Sequence, residues 1–576
     1  MPDALAPGDT LLTRLLGAAG RGGPADGLGF IGPDETDTLV PWAAVAERAA
    51  RAATALREAG VQPHERVAIV IPTDILFFDA FFGVLAAGAV PVPLYPPVRL
   101  GRLDEYFDRT AAMLRAAGCV ALVADARVRR VIGRVLPLAP LRLGVLAAER
   151  LRAAAPGPFA APDAEDIALV QFSSGTTVAP KAVALSHRAV LHNAAAILSF
   201  LPEGGPVRQV GVSWLPLYHD MGLIGCVFVA LVRAGPLWLL PPERFLARPA
   251  LWLRALSRHR GTVSPAPDFA YALCVERITD AELDGVDLGA WALALDGAEP
   301  ISADTLRRFT ARFAAWGLSP AAPTPVYGLS EASLAVTFST VERPFRAVRW
   351  ERAALSAGHA RPADRDAPAV ELVSNGRPIP GMAVEVRGPT GQALPAGAVG
   401  RVWVSGPSLL TRYLGADTHP VVDGWLDTGD VGFLDGGELF LCGRARDLIV
   451  LRGRNHAPQD LERAADAVPG VRTGCVIAVG HPTEDGERVC VFAEAREPRP
   501  TLADEIEQAV RAATGVDPHV VLVLEPGTLP RTSSGKLRRG EALRRWLDGA
   551  LTPPAPVTPW LLAGALARSA LGYLRQ

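Results

Sequence analysis

From about Val40 to Leu240 helical and strand patterns alternate, and this alternation constrains the fold more than any other feature of the chain. The stretch WAAVAERAARAATALREAG puts apolar residues on one helical face and ends at Gly60; RVAIVIP follows as a short buried strand. FFDAFFGVLAAG is again helical, AVPVPLYPP is a strand closed by prolines, and LDEYFDRTAAMLRAAG leads into the strand VALVADA. Such a βαβα rhythm predicts an α/β fold with a mostly parallel sheet covered on both faces. Sheets of this kind receive ligands in loops at the carboxyl ends of their strands.

Past Glu331 the pattern changes. MAVEVRG, GRVWVSG and GELFLCG are short alternating strands between Gly and Pro turns, as in a small antiparallel or barrel-like β subdomain. After CGRARDLIVLRGRN a fresh α/β pattern begins, with a helix near Asp460–Ala467, CVIAVG, RVCVFAEA, a helix near Leu502–Thr514, and VVLVLEP. Charge replaces apolar sequence at Arg444–Asp447, which predicts a boundary between residues 1–444 and 445–576. The tail PWLLAGALARSALGYLRQ gathers Leu562, Leu566, Ala570, Tyr573 and Leu574 on one helical face. It is expected to pack on its own C-terminal domain, with a docking helix for a partner protein as the alternative.

A formal net charge of -2 gives no electrostatic case for nucleic acid or an anionic membrane. Two long apolar runs invite a membrane reading, but Asp79 interrupts the first, and Arg233 and Pro236 the second. Each fits a buried helix running into a strand better than a transmembrane segment. The N-terminus has no basic start followed by an apolar run, so a cytoplasmic location is expected. Cys119, Cys226, Cys274, Cys442, Cys475 and Cys490 lack paired short spacing and read as small buried apolar side chains rather than a zinc site or disulfides.

Chemistry concentrates in a few Ser/Thr/Gly segments. FSSGTTVAPKAVALSH runs from a strand, DIALVQF, toward a helix, HRAVLHNAAAIL. Its small residues would let backbone N–H groups approach a phosphate, hydroxyls would add donors, and a helix start is expected to follow. It is not the G-x-x-x-x-G-K-[ST] loop. Lys181 in this segment and Lys536 in LPRTSSGKLRR are the only lysines among 58 basic residues, so arginine has replaced lysine almost everywhere else.

With SWLPLYHDMGLIG (213–225), DGAEP (296–300), YGLSEASLAVT (327–337), GWLDTGDVGFL (424–434), GRARDLIVLRGRN (443–455) and LPRTSSGKLRR (529–539), the chain resembles the adenylate-forming superfamily of acyl-CoA synthetases, peptide-synthetase adenylation domains and luciferases. The motifs occur in the family's order over nearly the whole chain. PLYHDMGLIG, DGAEP, RGRNHAPQDLE and LPRTSSGKL are most similar to fatty acyl-AMP ligases, and residues 339–381 are similar in placement to that subfamily's insertion, here at about 339–375. The resemblance implies a large N-terminal adenylating domain with mostly parallel sheets and a small β subdomain, followed by a small mobile α+β domain. It further implies ATP and Mg²⁺, a fatty or related carboxylic acid, and a holo acyl carrier protein as acceptor. In that subfamily the insertion restricts C-terminal domain motion and accompanies poor use of CoA.

The same resemblance assigns roles. Ser173, Ser174, Gly175, Thr176, Thr177 and Lys181 match the phosphate loop; Gly297 and Ala298 match backbone lining the adenine edge. Tyr327 is similar to the tyrosine stacked on adenine, Ser330 to a phosphate-contacting hydroxyl, and Glu331 to the carboxylate holding Mg²⁺. Asp430 matches the acceptor of both ribose hydroxyls, Arg444 a second ribose or phosphate contact, and His219 a gate between the carboxylate site and the pantetheine tunnel. Lys536 matches the lysine bridging the acyl carboxylate and the α-phosphate, a task suited to a compact ammonium on a flexible stem. Catalysis is thereby expected from Lys536, His219 and Glu331. Ala182 in place of Gly, SSGTT in place of TSGST, and GLSEAS in place of GLAEAT are the departures. The competing readings are an acyl-CoA synthetase of the same fold and a non-catalytic nucleotide- or acyl-binding protein.

Overall fold

The computed structural model describes residues 5–97, 100–172, 181–201, 208–451, 454–483, 486–532, 535–554 and 558–574. Its largest element is a nine-stranded sheet. Six neighbouring strands run parallel: Pro323–Gly328, Leu293–Asp296, Val263–Ala266, Gly211–Ser213, Leu237–Leu239 and Gly27–Ile31. Antiparallel strands Ala335–Phe338 and Asp37–Pro41 extend this block at either side. A second sheet of four parallel strands joins Val90–Pro93, Arg66–Val70, Cys119–Ala124 and Val145–Ala147. The predicted parallel α/β architecture is therefore present, with helices such as Trp42–Glu58 and Ile75–Ala86 laid across the strands.

Helix Ile75–Ala86 is apolar nearly all round because it is buried nearly all round. Its one charge, Asp79, is 2% exposed and accepts two hydrogen bonds from Arg48, each 2.7 Å, and one from Arg152 at 2.9 Å. A buried carboxylate is stable when paired in this way. Among the described residues no helix is long and apolar enough to cross a membrane.

The expected helix HRAVLHNAAAIL is present as His187–Leu198, and residues Ala182–Ser186 before it, unassigned from the sequence, form a strand antiparallel to Ile167–Phe172. The helix N-terminus is thus capped by Ser186, whose Oγ accepts from Ala189 N at 3.2 Å, and is a strand's length in sequence from the Ser/Thr/Gly segment.

The β subdomain is a five-stranded sheet built on Ala383–Arg387, Gly400–Ser405, Trp425–Asp435 and Glu438–Arg444. Within 339–381 the strands Ala347–Glu351 and Ala369–Val373 pair antiparallel, and helix Arg352–Ser356 lies between them in sequence. Residues 449–551 pack around two small cores of their own, built on the sheet Val471–Thr483, Gly486–Ala495, Val520–Leu524 and its helices.

The terminal helix Pro559–Leu574 does not join those cores, contrary to expectation. It crosses back to residues 126–136 of the N-terminal body, where Ala565 is buried in that body's core and Ser569 Oγ accepts from Gly133 N at 3.0 Å. The buried face is the small one, Ala565, Ser569 and Gly572, whereas Leu566, Ala570 and Leu574 are exposed. Small side chains win because they allow the backbones to approach closely: a Cβ on Gly572 would lie 2.0 Å from Gly133 O.

Candidate functional site

Four adjacent parallel strands bring their carboxyl ends to one edge, and the chain just beyond each end carries polar side chains. Gly211–Ser213 leads to His219 and Asp220, Val263–Ala266 to Asp268, Leu293–Asp296 to Glu299, and Pro323–Gly328 to Ser330 and Glu331. This is the edge where an open parallel sheet binds ligands. A cavity of about 370 Å³ lies there, lined by Lys181, His219, Asp220, Ala298, Tyr327, Ser330, Glu331, Arg444 and Lys536. A wider cleft of about 1770 Å³ shares Ala298, Tyr327, Arg444 and Lys536 and also reaches Asp430. Most residues selected from the sequence therefore meet, although they are spread over 350 positions. Ser173, Ser174, Gly175, Thr176 and Thr177 lie outside the described residues.

Tyr327 joins the sheet to the β subdomain: its hydroxyl donates to Asp430 Oδ2 at 2.7 Å. Asp430 pairs in strand register with Arg444, whose Nε stands 3.3 Å from Asp430 Oδ1. Burial raises the Asp430 carboxyl, while Arg444 and Tyr327 oppose that rise. Burial and the neighbouring Asp430 push the Tyr327 phenol far up, so it stays a donor. The arrangement offers a flat ring beside a paired carboxylate and guanidinium, a chemistry suited to a purine with its ribose.

Gly297 does not line either cavity. A Cβ there would meet Val326 Cγ2 at 2.8 Å and Val326 O at 2.9 Å, so glycine permits the adjacent strand to close against it. Ala298 does line both, with φ at +71°, a left-handed conformation costing roughly 1–2 kcal/mol for a residue with a Cβ. Strain of this kind is concentrated at binding sites.

Ser330 Oγ donates to Asp220 Oδ2 at 2.5 Å, and His219 Nδ1 stands 2.7 Å from Asp220 Oδ1. Asp220 also accepts from Met221 N at 2.7 Å. Burial works to raise this carboxyl, but His219, Ser330 and the Lys536 charge prevail and hold it far below the ordinary range. Asp220 is thus a fixed anion tying three of the selected residues together. On the opposite side Tyr413 donates to Glu331 Oε1 at 2.9 Å, and its ring lies under Lys181 Nζ at 4.9 Å. Glu331 lines the cavity, and a carboxylate there fits a hard cation held mainly by phosphate and water oxygens, which needs only one or two protein carboxylates.

Lys536 enters from the other body, on a turn closed by the Arg531 and Leu537 bridge. Its N–H donates to Thr532 Oγ1 at 3.0 Å, and Thr532 N donates back to Lys536 O at 2.7 Å. Burial lowers the ammonium's pKa; Asp220 and then Glu299 counter it, Arg444 reinforces the lowering, and Asp430 opposes it. Glu299 is itself raised by burial and accepts from Phe269 N at 2.8 Å. Beside it, burial and then the Glu299 charge push the Asp268 carboxyl up, and burial with the neighbouring Asp268 and Glu299 pushes Asp296 well above the ordinary carboxylate range.

Sequence reasoning missed Asp220, Glu299 and Tyr413. The first two stand inside the quoted HDMG and DGAEP segments, beside residues that were chosen. Tyr413, in TRYLG, carried no comparable signal; its role depends on a strand pairing with Val183.

Comparisons with known proteins agree with this geometry. Residues 31–414 match the family of AMP-binding enzymes. A putative acyl-CoA synthetase of Caulobacter vibrioides is 36% identical over 555 residues, covering 93% of this chain and 95% of that protein. The long-chain-fatty-acid–AMP ligase FadD26 of Mycobacterium marinum is 35% identical, covering 89% of this chain and 92% of the relative. A solved structure from studies of fatty acyl-adenylate ligases of E. coli and L. pneumophila superposes with a TM-score of 0.87 at 31% identity, covering 94% of this chain and 98% of that one. The chain belongs to the AMP-binding enzyme family, among relatives that include fatty acyl-AMP ligases.

Proposed function

We propose that this enzyme activates a fatty or related carboxylic acid with ATP, forming acyl-AMP and pyrophosphate, and then passes the acyl group to the phosphopantetheine thiol of an acyl carrier protein. The observation that carries the reading is the presence of Lys536 in one cavity with Tyr327, Arg444, Ser330 and Glu331, with Asp430 hydrogen-bonded to Tyr327. Tyr327 would take the adenine face, and Asp430 with Arg444 the ribose. Lys181, Ser330 and, by the sequence resemblance, Ser173–Thr177 would hold the phosphates. Mg²⁺, held by Glu331, would supply charge neutralisation between phosphate oxygens.

In the first step a carboxylate oxygen attacks the α-phosphorus and the bond to pyrophosphate breaks. Two anions must approach, and the Lys536 ammonium is positioned to neutralise the charge between them. His219, oriented through Nδ1 by Asp220, would border the path of the entering thiol. The wide cleft carries Trp214, Leu217, Leu246, Phe269, Leu273 and Ile301 along its wall, an apolar lining that supports a fatty chain as substrate. Residues 445 onward would then reorient about Arg444–Asp447 to admit the thiol.

The Caulobacter relative's name favours a second reading, transfer to free CoA. The Arg352 bond to Asp460, 2.7 Å, ties the 339–381 insertion to the C-terminal body and favours the carrier protein instead. Purified protein given ATP and a panel of carboxylic acids should release pyrophosphate only with acid present, and long-chain acids should lead. Holo carrier protein should accept the acyl group better than CoA. No acid-dependent release would overturn the enzyme reading in favour of a non-catalytic binder, and CoA as the better acceptor would overturn the carrier assignment.

A further inference from the structure

The terminal helix fastens the end of the chain to the wrong body. Residues 449–551 form the C-terminal body, yet Pro559–Leu574 belongs by packing to the N-terminal one. Gly133 N donates to Ser569 Oγ at 3.0 Å and the Tyr573 hydroxyl donates to Arg129 O at 2.9 Å. Ala565 and Ser569 are fully buried in this contact, and a Cβ on Gly133 would lie 2.3 Å from Ser569 O. The C-terminal body is consequently held at two ends, at Arg444–Asp447 and at the entry to this helix.

The second attachment is short. Arg102 of the N-terminal body donates to Thr552 O at 3.0 Å and Thr528 O at 3.4 Å, and Pro554 packs over Gly527. From Pro554 to Pro559 the chain spans at most roughly 18 Å when fully extended. A reorientation that carries the Gly527 face further than this from Pro559 must first peel Pro554 away or lift the helix from Gly133. Neither contact touches the cavity, so both can bias the pose without altering the chemistry performed in it.

We propose that the terminal helix is an intramolecular strap, which holds the C-terminal body in the pose that puts Lys536 in the cavity and slows the reorientation that follows acyl-adenylate formation. The second clause rests on the two-step reading above; the first does not. Two variants test it. One adds about ten Gly/Ser residues between Val557 and Thr558, which keeps every contact of the helix but lengthens the tether. The other, Gly572→Leu, removes the helix's close approach to Gly133 from the helix side only.

Interdomain distance distributions are read from labels on exposed Asp34→Cys and Ala512→Cys, and each half-reaction is timed separately, with free pantetheine as the thiol probe. Both variants should broaden the distance distribution and speed transfer to pantetheine by about fivefold or more, with acyl-AMP formation within about twofold of the unmodified protein. A lengthened-tether variant whose distance distribution superimposes on the parent's would overturn the strap. Absence of acid-dependent pyrophosphate release from the parent would overturn the two-step reading instead, and the distance distributions would still decide the strap.

Discussion

The two walls of the cavity are built by different means. On the side proposed to face the nucleotide, Tyr327, Asp430, Arg444, Ser330 and Asp220 sit at strand ends and in a β hairpin, and their mutual hydrogen bonds lie within the N-terminal body and its junction. On the other side the Lys536 backbone exchanges hydrogen bonds with Thr532, and its place in the cavity depends on how two bodies meet. That meeting is largely ionic: Arg545 with Glu105 at 2.9 Å, Arg352 with Asp460 at 2.7 Å, and Arg496 with Glu276. Partly exposed pairs of this kind contribute about 0–1 kcal/mol each. On the proposed function recognition would thus be preorganised, whereas the charge for the chemistry would be delivered by an interface of individually weak ion pairs.

The comparison is broken most severely at Lys536. Lys536→Ala should lower acid-dependent ATP–pyrophosphate exchange by at least about a hundredfold, through loss of charge neutralisation in the transition state. The melting temperature should stay close to the parent's. Lys181→Ala, on the fixed wall, should cost about tenfold and raise the KM for ATP more than it lowers kcat, as a ground-state phosphate contact does. Equal losses at the two lysines would erase the distinction. Next in size, Asp430→Asn should raise the KM for ATP by about tenfold or more, because a charge-assisted acceptor becomes a neutral one. Unchanged nucleotide kinetics there would remove Asp430 from the ribose contact.

These residues differ in how legible they were. PLYHDMG, DGAEP, YGLSE and the TGD turn were legible through their resemblance to motifs of the adenylate-forming superfamily, which no local periodicity supplies. Asp220 and Glu299 stood in the same segments, but their importance is a matter of charge balance around Lys536, which only the folded arrangement defines. The helix HRAVLHNAAAIL was legible from its pattern, whereas the strand Ala182–Ser186 before it was not, since it is defined by pairing with Ile167–Phe172. The terminal helix was misjudged for a related reason. Its larger apolar residues suggested the buried face, whereas its seat at Gly133 admits only Ala565, Ser569 and Gly572.

Asp220 offers a way to sharpen the comparison, since it belongs to the fixed wall but acts on the delivered lysine. On the proposed mechanism Lys536 acts protonated in the first step, so activity should be lost as pH rises through its pKa. Burial already lowers that pKa, and Asp220 is the foremost charge opposing the fall, ahead of Glu299, with Arg444 adding to it and Asp430 opposing it. Asp220→Asn should therefore move the alkaline limb of the pyrophosphate-exchange profile toward lower pH, with a loss at the optimum of about tenfold from the disturbed Ser330 and His219 bonds. Asp220→Glu should return the limb toward the parent's position. A uniform loss with no displacement of the limb would assign Asp220 a purely structural part.

The smallest expected effect concerns the interface itself. Arg352 lies on the short helix of the 339–381 insertion and donates to Asp460 Oδ2 in the C-terminal body. Both side chains are mostly buried, at 26% and 13% exposure, so the pair is worth more than a fully exposed one yet still on the order of 1 kcal/mol. It bridges the two bodies in the pose that places Lys536 in the cavity, and its loss should weaken that pose without touching the fixed wall. Arg352→Ala is expected to leave the KM for ATP unchanged and to slow adenylation by less than about threefold. Acyl transfer should quicken by a similar factor, because the opened pose becomes less costly to reach. A change in the KM for ATP would show that the two walls are not independent. Opposite movements of the two half-reactions, with nucleotide binding constant, would be the mark of a site whose chemistry is governed by docking.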